Sequence, residues 1–149
     1  MSLKKILFFP FAVIYGIITS LRNLLYDWKF LKSKSVDVHT ICVGNLAVGG
    51  TGKTPHVEYL INILQNDFKI AILSRGYKRK TSGFIQATST STAFDIGDET
   101  LQYKTKNPQL EVCVDANRVN GIKKMLELPE PPKVVILDDA FQHRALNCE

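Results

Sequence analysis

In the stretch LAVGGTGKTPH, three glycines within four residues (Gly49, Gly50 and Gly52) run straight into Lys53, Thr54 and Pro55. Glycine loses more conformational freedom on folding than any other residue, so this density marks a backbone that must come close to something. Backbone N–H groups of such a loop can converge on phosphate oxygens, because no side chain blocks the approach. In that arrangement Gly49, Gly50, Thr51 and Gly52 form the cradle and Lys53 reaches the β- and γ-phosphates. Thr54 places its hydroxyl on Mg2+. The usual pattern begins with a glycine where this chain has Ala47, a residue small enough for the loop still to close. The competing account is a glycine-rich turn that happens to precede Lys-Thr.

A second group of residues points to the same chemistry. VVILDD ends four apolar residues on Asp138 and Asp139, which puts carboxylates at the C-terminal end of a buried strand. Ligands of open parallel sheets bind at that edge, and a carboxylate there can hold Mg2+, directly or through water, beside Thr54. Further polar clusters follow other predicted strands: Arg75, Lys78, Arg79 and Lys80 in SRGYKRK, Asp98 and Glu99 in GDE, Asp115 and Arg118 in DANR, His143 and Arg144 in FQHR. Taken singly, each reads more readily as a solvated loop. Their shared address, strand C-termini around one phosphate loop, makes them a set.

The elements that must hold these residues alternate. Val38 to Gly44 is a β-branched run stopping at glycine, which predicts a strand. Pro55 to Asn66 carries Val57, Leu60, Ile61 and Leu64 at helical spacing, and Pro55 suits a first helical turn. Lys69–Leu73, Leu110–Val114 and Lys133–Leu137 read as strands, GFIQA as a weaker one and TSTSTAF as a loop. Asp98 to Lys104 and Asn117 to Leu128 read as helices. The expectation is an α/β fold with a P-loop NTPase-like parallel sheet covered on both faces.

At 149 residues the chain has room for one domain of ordinary size. Its net charge of +5 sits in one place: Met1–Ser35 holds Lys4, Lys5, Arg22, Lys29, Lys32 and Lys34 against Asp27 alone, and the remainder balances at 13 basic and 13 acidic residues. An evenly basic nucleic-acid binder has no such asymmetry, so no nucleic-acid partner is expected. Within that segment Ile6–Ile18 is an uncharged run of 13 residues, too short as a helix for a hydrocarbon core of roughly 30 Å and weakened by Pro10 and Gly16. Ile17, Leu21, Leu24, Leu25, Trp28 and Leu31 then follow at helical spacing. An apolar face with a Trp and flanking Lys/Arg predicts a helix lying in a membrane interface, in preference to a signal peptide or a helix packed on its own domain. Residues 1–35 are thus expected as a membrane-associated helical segment and 36–149 as the phosphate-binding domain. Cys42, Cys113 and Cys148 form no C-x-x-C pair and are expected as reduced thiols.

VGNLAVGGTGKTP, LSRGYKRK, GDE, DANRVNG and ILDDAFQHR, in this order and approximate spacing, resemble the tetraacyldisaccharide 4′-kinases, the lipid A kinases of Gram-negative bacteria. The resemblance covers nearly the whole chain. It implies an enzyme using ATP and Mg2+ to phosphorylate the 4′-hydroxyl of a tetraacylated glucosamine disaccharide 1-phosphate, giving lipid IVA. It implies peripheral or monotopic attachment at the cytoplasmic face of the inner membrane; no protein partner is evident. By motif, Gly49, Gly50, Thr51, Gly52, Lys53 and Thr54 would bind nucleotide, and Asp98 would be the catalytic base. Glu99, Asp138 and Asp139 would join Thr54 near the metal, and Arg118 and His143 would stand around phosphate or acceptor. Ala140 replaces the family's usual glycine, which matters if that backbone needs φ > 0. Family members are roughly twice this length, as expected of two domains, so the domain here is expected to be incomplete. Two other readings remain: a P-loop ATPase of the partitioning or metal-insertion type, disfavoured by Val48 in place of its signature lysine, and an inactive nucleotide-binding fragment.

Overall fold

The computed structural model describes residues 3–28, 30–31, 35–44, 53–140 and 146. The chain divides into two compact units, Met1–Ser33 and Lys34–Glu149. The glycine cradle (Gly49, Gly50, Thr51, Gly52) and His143 lie outside the described residues.

The first unit is built on one helix, α1 (Leu3–Asp27), of 25 residues. This corrects the expectation of a short apolar run broken from a following helix. Pro10 lies inside α1, where it removes one backbone donor, and the helix continues through it. Thr19 Oγ1 donates to the carbonyls of Tyr15 (2.9 Å) and Gly16 (3.0 Å). Phe8, Phe9, Phe11, Ile14, Tyr15 and Ile18 are all exposed, so the apolar surface surrounds this half of the helix. The window Phe8–Asp27 has a mean hydropathy of 1.5 and is long and apolar enough to cross a membrane.

The second unit is a five-stranded sheet in the order β1-β5-β2-β4-β3. Its strands are β1 (His39–Val43), β2 (Ile70–Ser74), β3 (Ile85–Gln86), β4 (Glu111–Val114) and β5 (Val134–Asp138). Helices α2 (Lys53–Leu64), α3 (Ala93–Ile96), α4 (Asp98–Lys106) and α5 (Arg118–Leu126) connect them. The pairs β1–β5, β5–β2 and β2–β4 are parallel, as expected. β3 is antiparallel to β4, which makes the sheet mixed. The cause is the connection: no helix lies between β2 and β3, so the chain turns straight back instead of crossing over. A second difference is α3, which starts within the stretch expected as a loop. Thr92 N donates to Asp95 Oδ2 at 2.8 Å across its first turn, the reciprocal half of a capping box.

β2 and β5 are buried along their whole length, as strands covered on both faces must be. Ile70, Ile72, Val112, Val114, Val134 and Ile136 pack with Val57 and Ile61 of α2 and Tyr103 of α4. The alternate residues Ala71, Leu73, Cys113, Val135 and Leu137 pack with Val119, Ile122 and Met125 of α5. The two-residue period of the strands thus divides the core into two layers. Cys113 is free and buried, whereas Cys42 is disulfide-bonded, which corrects the expectation of reduced thiols throughout.

Candidate active site

The parallel β1–β5 register sets Val43 opposite Asp138. The strand leading into the glycine stretch and the strand ending in carboxylates therefore finish side by side. Ala140 N donates to the Val43 carbonyl at 3.3 Å and ties the two ends together. Among the described residues only Lys78 and Asp139 are non-glycine residues with φ > 0. Ala140 needs no such conformation, so its methyl group costs nothing there.

Asp138 and Asp139 are adjacent in sequence and opposite in environment. Asp138 is 1% exposed and its Oδ1 has no hydrogen-bond partner among the described residues. Burial, reinforced by Glu99, pushes its carboxyl up to about 6, and Lys53 pulls against that rise. At φ 56° Asp139 turns out of the strand, into a left-handed region that Asp tolerates better than most residues. Its carboxylate lies half in solvent and accepts from Lys53 Nζ at 2.7 Å. Burial works against the charge on Lys53, but the hydrogen bond to Asp139 and the fields of Asp139, Asp138 and Glu99 prevail and raise its pKa.

Lys53 and Thr54 open α2, whose N-terminal dipole favours anions. Asp98 and Glu99 are exposed on the first turn of α4. Glu99 is close enough for its charge to act on Lys53, Asp138 and Tyr103. The structure therefore gathers Lys53, Thr54, Glu99, Asp138 and Asp139, with Asp98 one residue from the group.

Arg118, the first residue of α5, is 3% exposed. Its guanidinium donates to the Asp115 carbonyl and, at 3.3 Å, to the Asp138 carbonyl. Burial and then Arg75 lower its pKa, with Asp138, Asp139 and Asp115 opposing. Arg118 thus braces the end of β5 from beneath. The rest of DANRVNG is architectural: Asp115 accepts from Asn117 N (2.8 Å) and Asn120 Nδ2 (2.7 Å), and Asn117 caps α5 by accepting from Asn120 N. Of the SRGYKRK cations, Lys78 lies over Tyr77 and Lys80 over Phe94, at 5.4 and 4.3 Å from the ring centres.

One residue of the site had no sequence signal beyond helical spacing. Tyr103, on the inner face of α4, is fully buried. Its hydroxyl donates to Asp138 Oδ2 at 3.4 Å and lies beside the Thr54 side chain.

The donors suit a hard cation: a threonine hydroxyl and carboxylates, one with a buried oxygen lacking a partner. Among the described residues no cluster of three or more His, Cys, Asp or Glu forms a metal cage by itself. The threonine hydroxyl beside a buried carboxylate suits Mg2+, which takes one or two carboxylates and completes its shell with water and substrate phosphates.

The family model LpxK, tetraacyldisaccharide-1-P 4′-kinase, matches residues 4–149. The chain is 57% identical over 142 residues to the tetraacyldisaccharide 4′-kinase of Flavobacterium psychrophilum, covering 95% of this chain and 41% of that protein. It is 56% identical to that of Parabacteroides distasonis over 137 residues, covering 91% of this chain and 37% of the relative. The crystal structure of "apo" form LpxK from Aquifex aeolicus in complex with ATP superposes with a TM-score of 0.88 at 40% identity, covering 98% of this chain and 47% of that one. The chain therefore spans about two fifths of the length of these curated relatives. With a family match over nearly its whole length, it belongs to the tetraacyldisaccharide-1-phosphate 4′-kinase family.

Proposed function

We propose that this chain serves an ATP- and Mg2+-dependent kinase that phosphorylates the 4′-hydroxyl of a tetraacylated glucosamine disaccharide 1-phosphate and so makes lipid IVA. The observation that carries this reading is the buried Asp138, its Oδ1 without a partner among the described residues, beside the Lys53–Asp139 pair in a chain of that family.

Phosphoryl transfer asks a protein mainly for positioning and charge compensation. In the proposed assignment Gly49, Gly50, Thr51 and Gly52 hold the phosphates through their backbone. Lys53 takes phosphate oxygens in place of Asp139. Thr54 with one or two of Glu99, Asp138 and Asp139 would hold the Mg2+, which when bound would neutralise charge on the phosphate oxygens. Asp98 accepts the proton of the acceptor hydroxyl. Arg118 keeps the end of β5 in place, and His143 serves near phosphate or acceptor. Helix α1 holds the enzyme at the cytoplasmic face of the inner membrane, where a lipid acceptor is found.

The test supplies the protein, at the length the cell makes it, with γ-labelled ATP, Mg2+ and the lipid acceptor. Labelled lipid supports the kinase. Label released only as inorganic phosphate favours the ATPase reading, and no ATP binding favours an inactive fragment. Asp98→Asn should keep ATP binding and lose transfer by at least about a hundredfold, in line with the loss of a general base. Near-normal turnover in that variant would remove Asp98 from the role.

A further inference from the structure

Tyr103 joins three parts of the site that lie far apart in sequence. It sits on α4, whose first turn carries Asp98 and Glu99. Its hydroxyl reaches Thr54 at the start of α2 and Asp138 at the end of β5. The direction of each bond is informative. Tyr103 donates to Asp138 Oδ2, which leaves the phenol oxygen free to accept from the Thr54 hydroxyl beside it. A hydroxyl that ligates a cation does so through a lone pair and has to place its proton elsewhere; the phenol oxygen stands where it can take it. A carboxylate shared between a cation and the protein needs one oxygen held and one released. Here Oδ2 is held and Oδ1 has no partner among the described residues.

The rest of α4 is bound to the same helix. Gln102 Nε2 and Lys106 Nζ both donate to Glu58 Oε1 of α2, at 3.0 and 2.6 Å. Thr54 and Glu58 lie four residues apart, one turn along α2. Helix α4 is therefore fixed to α2 at two successive levels, through Tyr103 and through Glu58.

We infer that Tyr103 is a positioning residue: its phenol accepts the Thr54 proton and holds Asp138 Oδ2, which turns a Thr54 lone pair and Asp138 Oδ1 toward the cation and fixes the acidic start of α4 to both. This rests on the kinase reading above. Partners of this kind, one bond behind the ligating atoms, orient ligands and typically contribute tenfold or more in metal affinity.

The experiment compares the full-length protein with its Tyr103→Phe variant, which keeps the ring and removes only the hydroxyl. Labelled lipid formed by the unaltered protein establishes the kinase separately; if none forms, that reading fails whatever Tyr103 does. The variant should show a half-saturating Mg2+ concentration raised roughly tenfold. Its KM values for ATP and acceptor at saturating Mg2+ should stay within about twofold of the unaltered protein's, a split that follows from losing metal orientation alone. A second readout needs no turnover: Mg2+ added to ADP-saturated protein should raise the melting temperature less in the variant, each shift taken from that protein's own metal-free value. An unchanged Mg2+ response, or a variant that loses its metal-free fold along with that response, would overturn the proposal and leave Tyr103 a packing residue.

Discussion

Asp138 shows how a single side chain can be costly to the fold and useful to the site. Its carboxyl, ordinarily near 3.8, is raised to about 6 by burial. The folded chain therefore binds this proton more tightly than the unfolded chain. The sign follows: the contribution to stability is fully present below about pH 4, and it is lost as pH rises through about 6. Above that range the buried charge costs about 3 kcal/mol. Asp138→Asn removes the charge and keeps the shape. It is expected to raise stability by about 2 kcal/mol near pH 7.5 and to make little difference near pH 4, as read by urea unfolding at both pH values. The same variant should lose Mg2+-dependent transfer. A stability gain independent of pH would mean that the Asp138 charge is not its source.

At the scale of elements, apolar periodicity was enough to place β1, β2, β4, β5, α2 and α5 within a few residues, because each buries one clear stripe or run; α4 was read as a short helix without such a stripe. What it missed depends on relations between elements. The reversal of β3 comes from a connection without a helix. Tyr103 looks like one more apolar position of α4 until the partners of its hydroxyl are known. The continuity of α1 was hidden by a proline whose local cost is one backbone bond. Within the site, the placement of Lys53, Thr54, Glu99, Asp138 and Asp139 followed from their positions at strand and helix ends. The glycine cradle and His143 rest on the motif alone, since they lie outside the described residues.

The junction of α3 and α4 carries a sharper prediction. Gly97 caps both helices with φ 87° and ψ 154°, a region essentially closed to other residues. A Cβ there would lie 2.7 Å from the Tyr77 carbonyl oxygen. Gly97→Ala therefore combines backbone strain with a clash against main chain. A loss of about 3 kcal/mol or more is expected in chemical denaturation. Because Asp98 is the next residue, transfer should fall in whatever fraction stays folded.

At the scale of the whole molecule, basic charge and exposed apolar surface are concentrated in the first unit, while the second carries a net charge of only +1 and holds the candidate site. Binding to vesicles and binding to nucleotide should therefore separate. Removal of residues 1–33 is expected to abolish cosedimentation with anionic vesicles and to leave ATP-dependent thermal stabilisation within a few degrees. Vesicle binding that survived the deletion would move the membrane contact to the second unit.

The Lys53–Asp139 pair has one more consequence. The two groups serve as each other's counterions, so a phosphate that draws Lys53 away strands a carboxylate, and a cation that captures Asp139 strands an ammonium. Either ligand alone must break the pair without replacing what it breaks. Together they exchange one internal contact for two external ones. On the proposed assignment, phosphate and divalent cation would therefore recruit each other, each improving the other's affinity by the same factor. A site so assigned would fill with the metal–nucleotide complex and resist loading by halves.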